Sequence, residues 1–170
     1  NSLGNDTRYF VITGGGGSGK SFAITTFLAF LTFEQGHKIL FTRYTMISAA
    51  NSIIPEFLEK LELYNIVEHF RITKDEILNI STGSSIMFKG IRTSAGNQTA
   101  ALKSISGITT WVLDEAEELT KEEDFDKIDQ SVRSKSKPNR VMMILNPTTK
   151  EHWIYQRFFA AKGVNPGTND

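Results

Sequence analysis

The run Gly14 to Ser21 restricts this chain more than any other stretch. It matches the pattern G-x-x-x-x-G-K-[ST], follows the apolar β-like run Tyr9–Thr13, and opens an apolar helix-like run that reaches about Glu34. A strand, a glycine loop and a helix in that order place successive backbone N–H groups around an anion. The helix adds the positive end of its dipole to the same point. Read this way, Gly14, Gly15, Gly16, Gly17, Ser18, Gly19, Lys20, Ser21 and Phe22 bind the phosphates of a nucleotide. Lys20 reaches the β- and γ-oxygens and the Ser21 hydroxyl faces Mg²⁺. Gly-Gly-Gly-Gly-Ser is also the repeat of a flexible linker. A linker would not run on into Gly19-Lys20-Ser21 between two apolar segments.

The remaining pattern is that of a three-layer α/β domain. Lys38–Thr42, Thr109–Leu113 and Arg140–Leu145 are nearly continuous apolar runs, the signature of parallel strands covered on both faces. Helices are expected at Gly19–Glu34, at Ser48–Tyr64 with a fresh start at Pro55, near Gln98–Lys103, at Thr120–Arg133 and at Thr148–Ala161. Thr120 with Glu123, and Thr148 with Glu151, have capping-box spacing. Between the first and second of these apolar runs, Val67–Thr73, Glu76–Ser81 and Ser85–Gly90 alternate apolar and polar residues, an inserted antiparallel meander.

Composition removes several function classes. Nineteen Lys+Arg against nineteen Asp+Glu leave no global field for nucleic acid or anionic lipid, so such a contact would need a local patch. The cluster Arg133–Arg140 is the one basic stretch, and it reads as a solvated loop. Cysteine is absent, and His37, His69 and His152 have no ligand spacing, so no metal beyond Mg²⁺ is expected. The longest apolar run, Phe22–Phe33, is broken by threonines and is short for a membrane span.

Two further motifs bear on chemistry. Trp111–Glu115 is an apolar strand ending in Asp114 and Glu115. In P-loop ATPases the Asp at that strand end shares the metal with the loop hydroxyl, here Ser21, and the adjacent Glu polarises the attacking water. The simpler reading makes Asp114, Glu115, Glu117 and Glu118 an acidic helix start; Glu117 and Glu118 are assigned to solvated surface. Asn146, before Pro147, ends a strand expected between the loop strand and the Asp-Glu strand, where its side chain can sense the γ-phosphate. Arg43, at the end of the second strand, with Arg92, Arg133 and Lys103, are candidates for a cation on the transition state. Arg8 and Tyr9 are candidates for reading adenine.

Taken in order, the motifs resemble the ATPase domain of the large terminase subunit of tailed bacteriophages. The resemblance rests on Tyr9–Ser21, Phe41–Arg43, Ile86–Ile91, Leu102–Thr120, Ser131–Arg133, Leu145–Thr148 and His152–Phe158. It implies a P-loop NTPase of the additional-strand, catalytic-glutamate type over residues 1–170, with a nuclease domain beyond them. It implies ATP and Mg²⁺ as cofactors, with Glu115, Lys20 and Asn146 catalytic, Arg43 and Lys103 as further cations, and Ser21 and Asp114 on the metal. Family members often carry Arg where this chain has Gly16, and Lys103 stands nearest the Arg that reaches a neighbour's site. The implied activity is ATP-driven movement of double-stranded DNA into a procapsid in the host cytoplasm. The implied partners are a portal protein, a small terminase subunit and further copies in a ring. A helicase-type translocase and a small-molecule kinase are the alternatives.

Overall fold

Strands without a polar face need cover on both sides, and the helices of this chain supply it. In the computed structural model, which describes residues 7–14, 19–93, 96–147 and 149–163, the strands form one sheet. They are β1 (Tyr9–Thr13), β2 (Lys38–Thr45), β3 (Phe70–Ile72), β4 (Glu76–Asn79), β5 (Ser85–Thr93), β6 (Gly96–Asn97), β7 (Thr110–Asp114) and β8 (Arg140–Leu145). The order is β1-β8-β7-β2-β5-β4-β3, with β6 paired to β5. β1, β8, β7, β2 and β5 run parallel, and β4, β3 and β6 continue antiparallel.

Side-chain alternation divides each central strand between two cores. Val112, Met142 and Ile144 face α1 (Lys20–Leu31) and α2 (Ile53–Leu63), where they meet Ile24, Leu28, Ile53 and Phe57. Trp111, Leu113, Val141 and Met143 face α3 (Thr99–Lys103), α4 (Glu122–Asp129) and α5 (Trp153–Phe158), where they meet Leu102, Phe125 and Ile154. On the first face the chain moves outward from β1 to β2 and on to the meander. On the second it returns from β5 to β7 and then β8, as right-handed crossovers require. The return places β8 between β1 and β7, where the sequence argument puts it.

The inserted meander is antiparallel as expected, and its last strand, β5, pairs parallel with β2 and extends the sheet. Several other expectations shift. Val67–His69 is a single 3₁₀ turn, so β3 begins only at Phe70. α2 begins at Ile53, which leaves Pro55 in the first turn, where its missing N–H has no helical partner to lose. α4 begins at Glu122 with Lys121 at the cap, because Leu119 is buried and extended and holds the chain out of helix until then. α5 is capped by His152, whose Nδ1 accepts from the Ile154 N–H at 3.2 Å; Thr148 lies outside the described residues. α1 is less fully covered than its apolar sequence implies. Phe22, Phe27 and Phe30 are exposed, with Lys60 over the Phe22 ring and Arg140 over Phe27.

The end of α2 carries a testable local strain. Asn65 has φ 56°, and its N–H and that of Ile66 close the helix onto the carbonyls of Glu62 and Leu61. Asparagine tolerates this left-handed conformation better than a residue with an inert side chain. Asn65→Ala is expected to cost about 1 kcal/mol in urea unfolding, and Asn65→Gly to cost nothing or to stabilise slightly.

Candidate nucleotide site

The parallel strands end together along one edge, and the candidate residues lie at those ends. Thr13 of β1 pairs with Leu145 of β8, and Arg43 of β2 pairs with Asp114 of β7. The loop that follows β1 is described at its two ends. Gly15, Gly16, Gly17 and Ser18 lie outside the described residues. Gly19 caps α1 with φ 80°, and its carbonyl accepts the first helical hydrogen bond from Ala23 at 3.0 Å. An added Cβ there would meet nothing within 4 Å, so glycine is required by conformation and not by space.

Lys20 turns back across the loop. Its Nζ donates to the Gly14 carbonyl at 2.6 Å and to Asn146 Oδ1 at 3.2 Å. The loop lysine and the strand tip proposed as a sensor are thus in contact. Asn146 in turn donates through Nδ2 to Glu117 Oε1 at 2.8 Å and through its backbone N–H to Glu117 Oε2 at 3.2 Å. Glu117 is therefore not simply solvated surface: it grips the residue after β8. Glu118 is exposed, as expected.

Asp114 and Glu115 turn at the tip of β7. Asp114 Oδ2 accepts from Arg43 Nε at 2.7 Å, and Oδ1 accepts from the Glu115 N–H at 3.0 Å. Both side chains of the Arg43–Asp114 pair are largely buried. Burial opposes the Arg43 charge, but the hydrogen bond and charge of Asp114 outweigh it and raise its pKa above the ordinary arginine value. Glu115 adopts φ 51° and ψ 48°, a left-handed conformation that costs a non-glycine residue about 1 kcal/mol. Its carboxyl pKa is raised, first by burial and then by Asp114, Glu118 and Glu117, with Arg43 acting against them.

Ser21 does not meet Asp114 directly. Its Oγ donates to Glu56 Oε2 at 2.9 Å, a carboxylate from α2 that no sequence motif singles out. Phe22 stands exposed on α1, with Lys60 Nζ 4.7 Å from its ring centre. Lys103 is exposed at the last turn of α3 and makes no hydrogen bond or ion pair among the described residues. Arg92 borders a cavity of about 470 Å³ with Thr45, Met46 and Ile47, beyond the end of β2. Arg133 folds back onto the Gln130 carbonyl. Arg8 and Tyr9 both hold Asp129 at 2.7 Å and tie β1 to the end of α4, which occupies their polar atoms. Part of the basic stretch packs instead of standing free, with the Lys137 stem against Gly36 and Arg140 over Phe27.

A metal held by Ser21 and Asp114, as the sequence expects, would be a hard cation. Ser21 and Asp114 offer oxygen only, and no group of three or more His, Cys, Asp or Glu able to hold a metal occurs among the described residues. Mg²⁺ binds in this manner, through one or two protein oxygens with the remainder from phosphate and water.

A family model described as phage terminase large subunit matches residues 6–168. No curated protein matches the chain. Among solved structures, the large terminase ATPase domain of Thermus phage P74-26 aligns over 92% of this chain and 64% of its own, with TM-score 0.65 and 17% identity. The large terminase of the thermophilic bacteriophage D6E in complex with ADP aligns over 90% of this chain and 37% of its own, with TM-score 0.64 and 13% identity. A chain of the bacteriophage phi29 viral genome packaging motor assembly aligns over 94% and 48%, with TM-score 0.65 and 12% identity. This chain therefore spans less than two thirds of each of these three, and at such identities the likeness is one of fold. The fold is that of the terminase ATPase domains, and the family match over nearly the whole chain settles the affiliation: this chain belongs to the phage terminase large subunit family.

Proposed function

We propose that this domain hydrolyses ATP with Mg²⁺ and uses the cycle to move double-stranded viral DNA into a procapsid. One observation carries the nucleotide part of the reading: the loop lysine Lys20 touches Asn146, at the edge where Asp114 ends β7 and Glu115 follows it. Membership of the terminase family carries the packaging part, along with a portal protein, a small terminase subunit and a homo-oligomeric ring as partners.

In this reading Lys20 leaves the Gly14 carbonyl for the β- and γ-phosphate oxygens, and the loop N–H groups bind the rest of the triphosphate. Ser21 and Asp114 would hold Mg²⁺, which neutralises charge on the bridging and terminal oxygens when bound. Glu115 accepts a hydrogen bond from a water aligned with the γ-phosphorus. The water oxygen bonds to phosphorus, the bond to the bridging oxygen breaks, and ADP leaves with that electron pair. The water's proton passes to the Glu115 carboxylate or to the released phosphate. Arg43 holds the Asp114 carboxylate in register from the neighbouring strand.

Loss of the ammonium tests the assignment. Lys20→Ala is expected to raise the Kd for Mg·ATP by about 10–100-fold, the worth of a charge-assisted bond or two to phosphate. Calorimetric titration checks this, and an unchanged affinity would remove the loop from the site.

A further inference from the structure

We propose that Glu56 is a positioning residue for the metal that accompanies the nucleotide, acting through the hydroxyl of Ser21. The inference rests on the nucleotide reading above, which puts Ser21 on Mg²⁺. Its ground is a count of protons and lone pairs. A serine hydroxyl has one hydrogen and two lone pairs. Ser21 Oγ gives its hydrogen to Glu56 Oε2 at 2.9 Å, and a carboxylate only accepts. The contact uses neither lone pair, and lone pairs are what a cation binds. Ser21 is exposed, so its oxygen can be approached from solvent. Donation to a carboxylate also makes the oxygen more electron-rich, and outer-shell partners of this kind strengthen metal ligands.

The hydroxyl is directed from a fixed element. Glu56 stands in the first turn of α2, where its charge suits the helix dipole. The next residue, Phe57, is fully buried and meets the rings of Phe41 on β2 and Phe88 on β5. Ser21 stands in the first turn of α1, so one hydrogen bond joins the starts of two helices. Glu56 also acts on the strand tips. Burial lowers the Arg43 pKa, and Asp114, Glu115 and Glu56 raise it in that order. Its charge is thus felt at the partner of Asp114, the other oxygen donor assigned to the metal, as well as at Ser21. A purely structural clasp between α1 and α2 would use the same bond, and the two roles differ in what Mg²⁺ adds to binding.

The test measures the Kd of a non-hydrolysable ATP analogue by calorimetry, once with Mg²⁺ and once with EDTA, and reads the ratio. Glu56→Ala should cut the strengthening by Mg²⁺ about tenfold, the lower end of what outer-shell partners contribute. Glu56→Gln keeps an acceptor oxygen and gives up the charge, so its loss should be smaller. In EDTA neither variant should bind more weakly, since a carboxylate near the phosphates only repels them. In a Ser21→Ala background Glu56→Ala should add little, because the hydroxyl through which it acts is gone. Glu59→Gln removes an equal charge from an exposed side chain one turn along α2 and should leave the ratio as in the wild type. A wild-type ratio in both Glu56 variants would overturn the inference and leave the structural clasp. Full additivity with Ser21→Ala, or an equal effect from Glu59→Gln, would also overturn it. A wild type that binds the analogue equally with and without Mg²⁺ would overturn the metal assignment and this inference with it. One that binds it in neither condition would overturn the nucleotide reading as well.

Discussion

Glu115→Gln is expected to slow ATP hydrolysis by about 10²–10⁴-fold, the range of a lost general base, while nucleotide affinity stays within about threefold. Glutamine keeps the size and most of the hydrogen bonding of the side chain but cannot accept the proton of the attacking water. Burial already raises the Glu115 pKa, so the carboxylate is a better base than one in water. Its backbone adds a second measurement. At φ 51° the residue sits where glycine is at ease, held by the N–H bond to Asp114 Oδ1. Glu115→Gly should therefore be as inactive as the Gln variant yet more stable, by about 1 kcal/mol. Strain concentrated on a residue proposed to act on substrate is the pattern expected where function opposes stability. Single-turnover phosphate release and urea unfolding check the two halves. Retained turnover in Glu115→Gln would take the residue out of the chemistry.

What was legible in the sequence divides along physical lines. Apolar strands announce themselves, because a strand covered on both faces has nowhere to place polar residues, and Arg140–Leu145 runs as expected. That β8 lies between β1 and β7 follows from the fold type that the adjacent Asp114 and Glu115 mark, and not from anything in the strand's own residues. Helix starts are less legible, since local capping patterns compete with tertiary burial. Thr120 and Glu123 have the spacing of a cap, but burying Leu119 fixes the preceding backbone as extended and delays α4. The Arg43–Asp114 pair was out of reach, because uniformly apolar strands carry no mark of their register. The contact of Glu117 is hidden for another reason. An acidic run after a strand looks like a helix start, and no one-dimensional signal says that the Asn146 N–H, left unpaired at the end of β8, has its acceptor there. Glu56 stands likewise on α2, far in sequence from the Ser21 hydroxyl it accepts from.

The other large effect is expected in the core that sets these strand tips in place. Phe125, fully buried in α4, has its ring centre 5.0 Å from Trp111 of β7 and 4.9 Å from Trp153 of α5. Tyr9 of β1 and Phe158 of α5 lie at 6.3 Å, and the Arg157 guanidinium is 5.2 Å from the ring centre. One ring therefore joins the strand that leads into the glycine loop, the strand that ends in Asp114, and helix α5. Phe125→Ala removes the ring and leaves a space that its four aromatic neighbours cannot fill, so the expected loss is about 3–5 kcal/mol. At roughly 2–4 °C per kcal/mol for a domain of this size, Tm should fall by roughly 6–20 °C. Phe125→Leu keeps much of the volume and gives up the aromatic contacts, and should cost about 1–2 kcal/mol. Because Phe125 touches none of the groups assigned to nucleotide, the Leu variant should bind Mg·ADP with wild-type affinity, and ADP should raise its Tm as it does for the wild type. A loss below about 1 kcal/mol for the Ala variant would mean that α4 and α5 repack without their central ring, and would contradict the core described here.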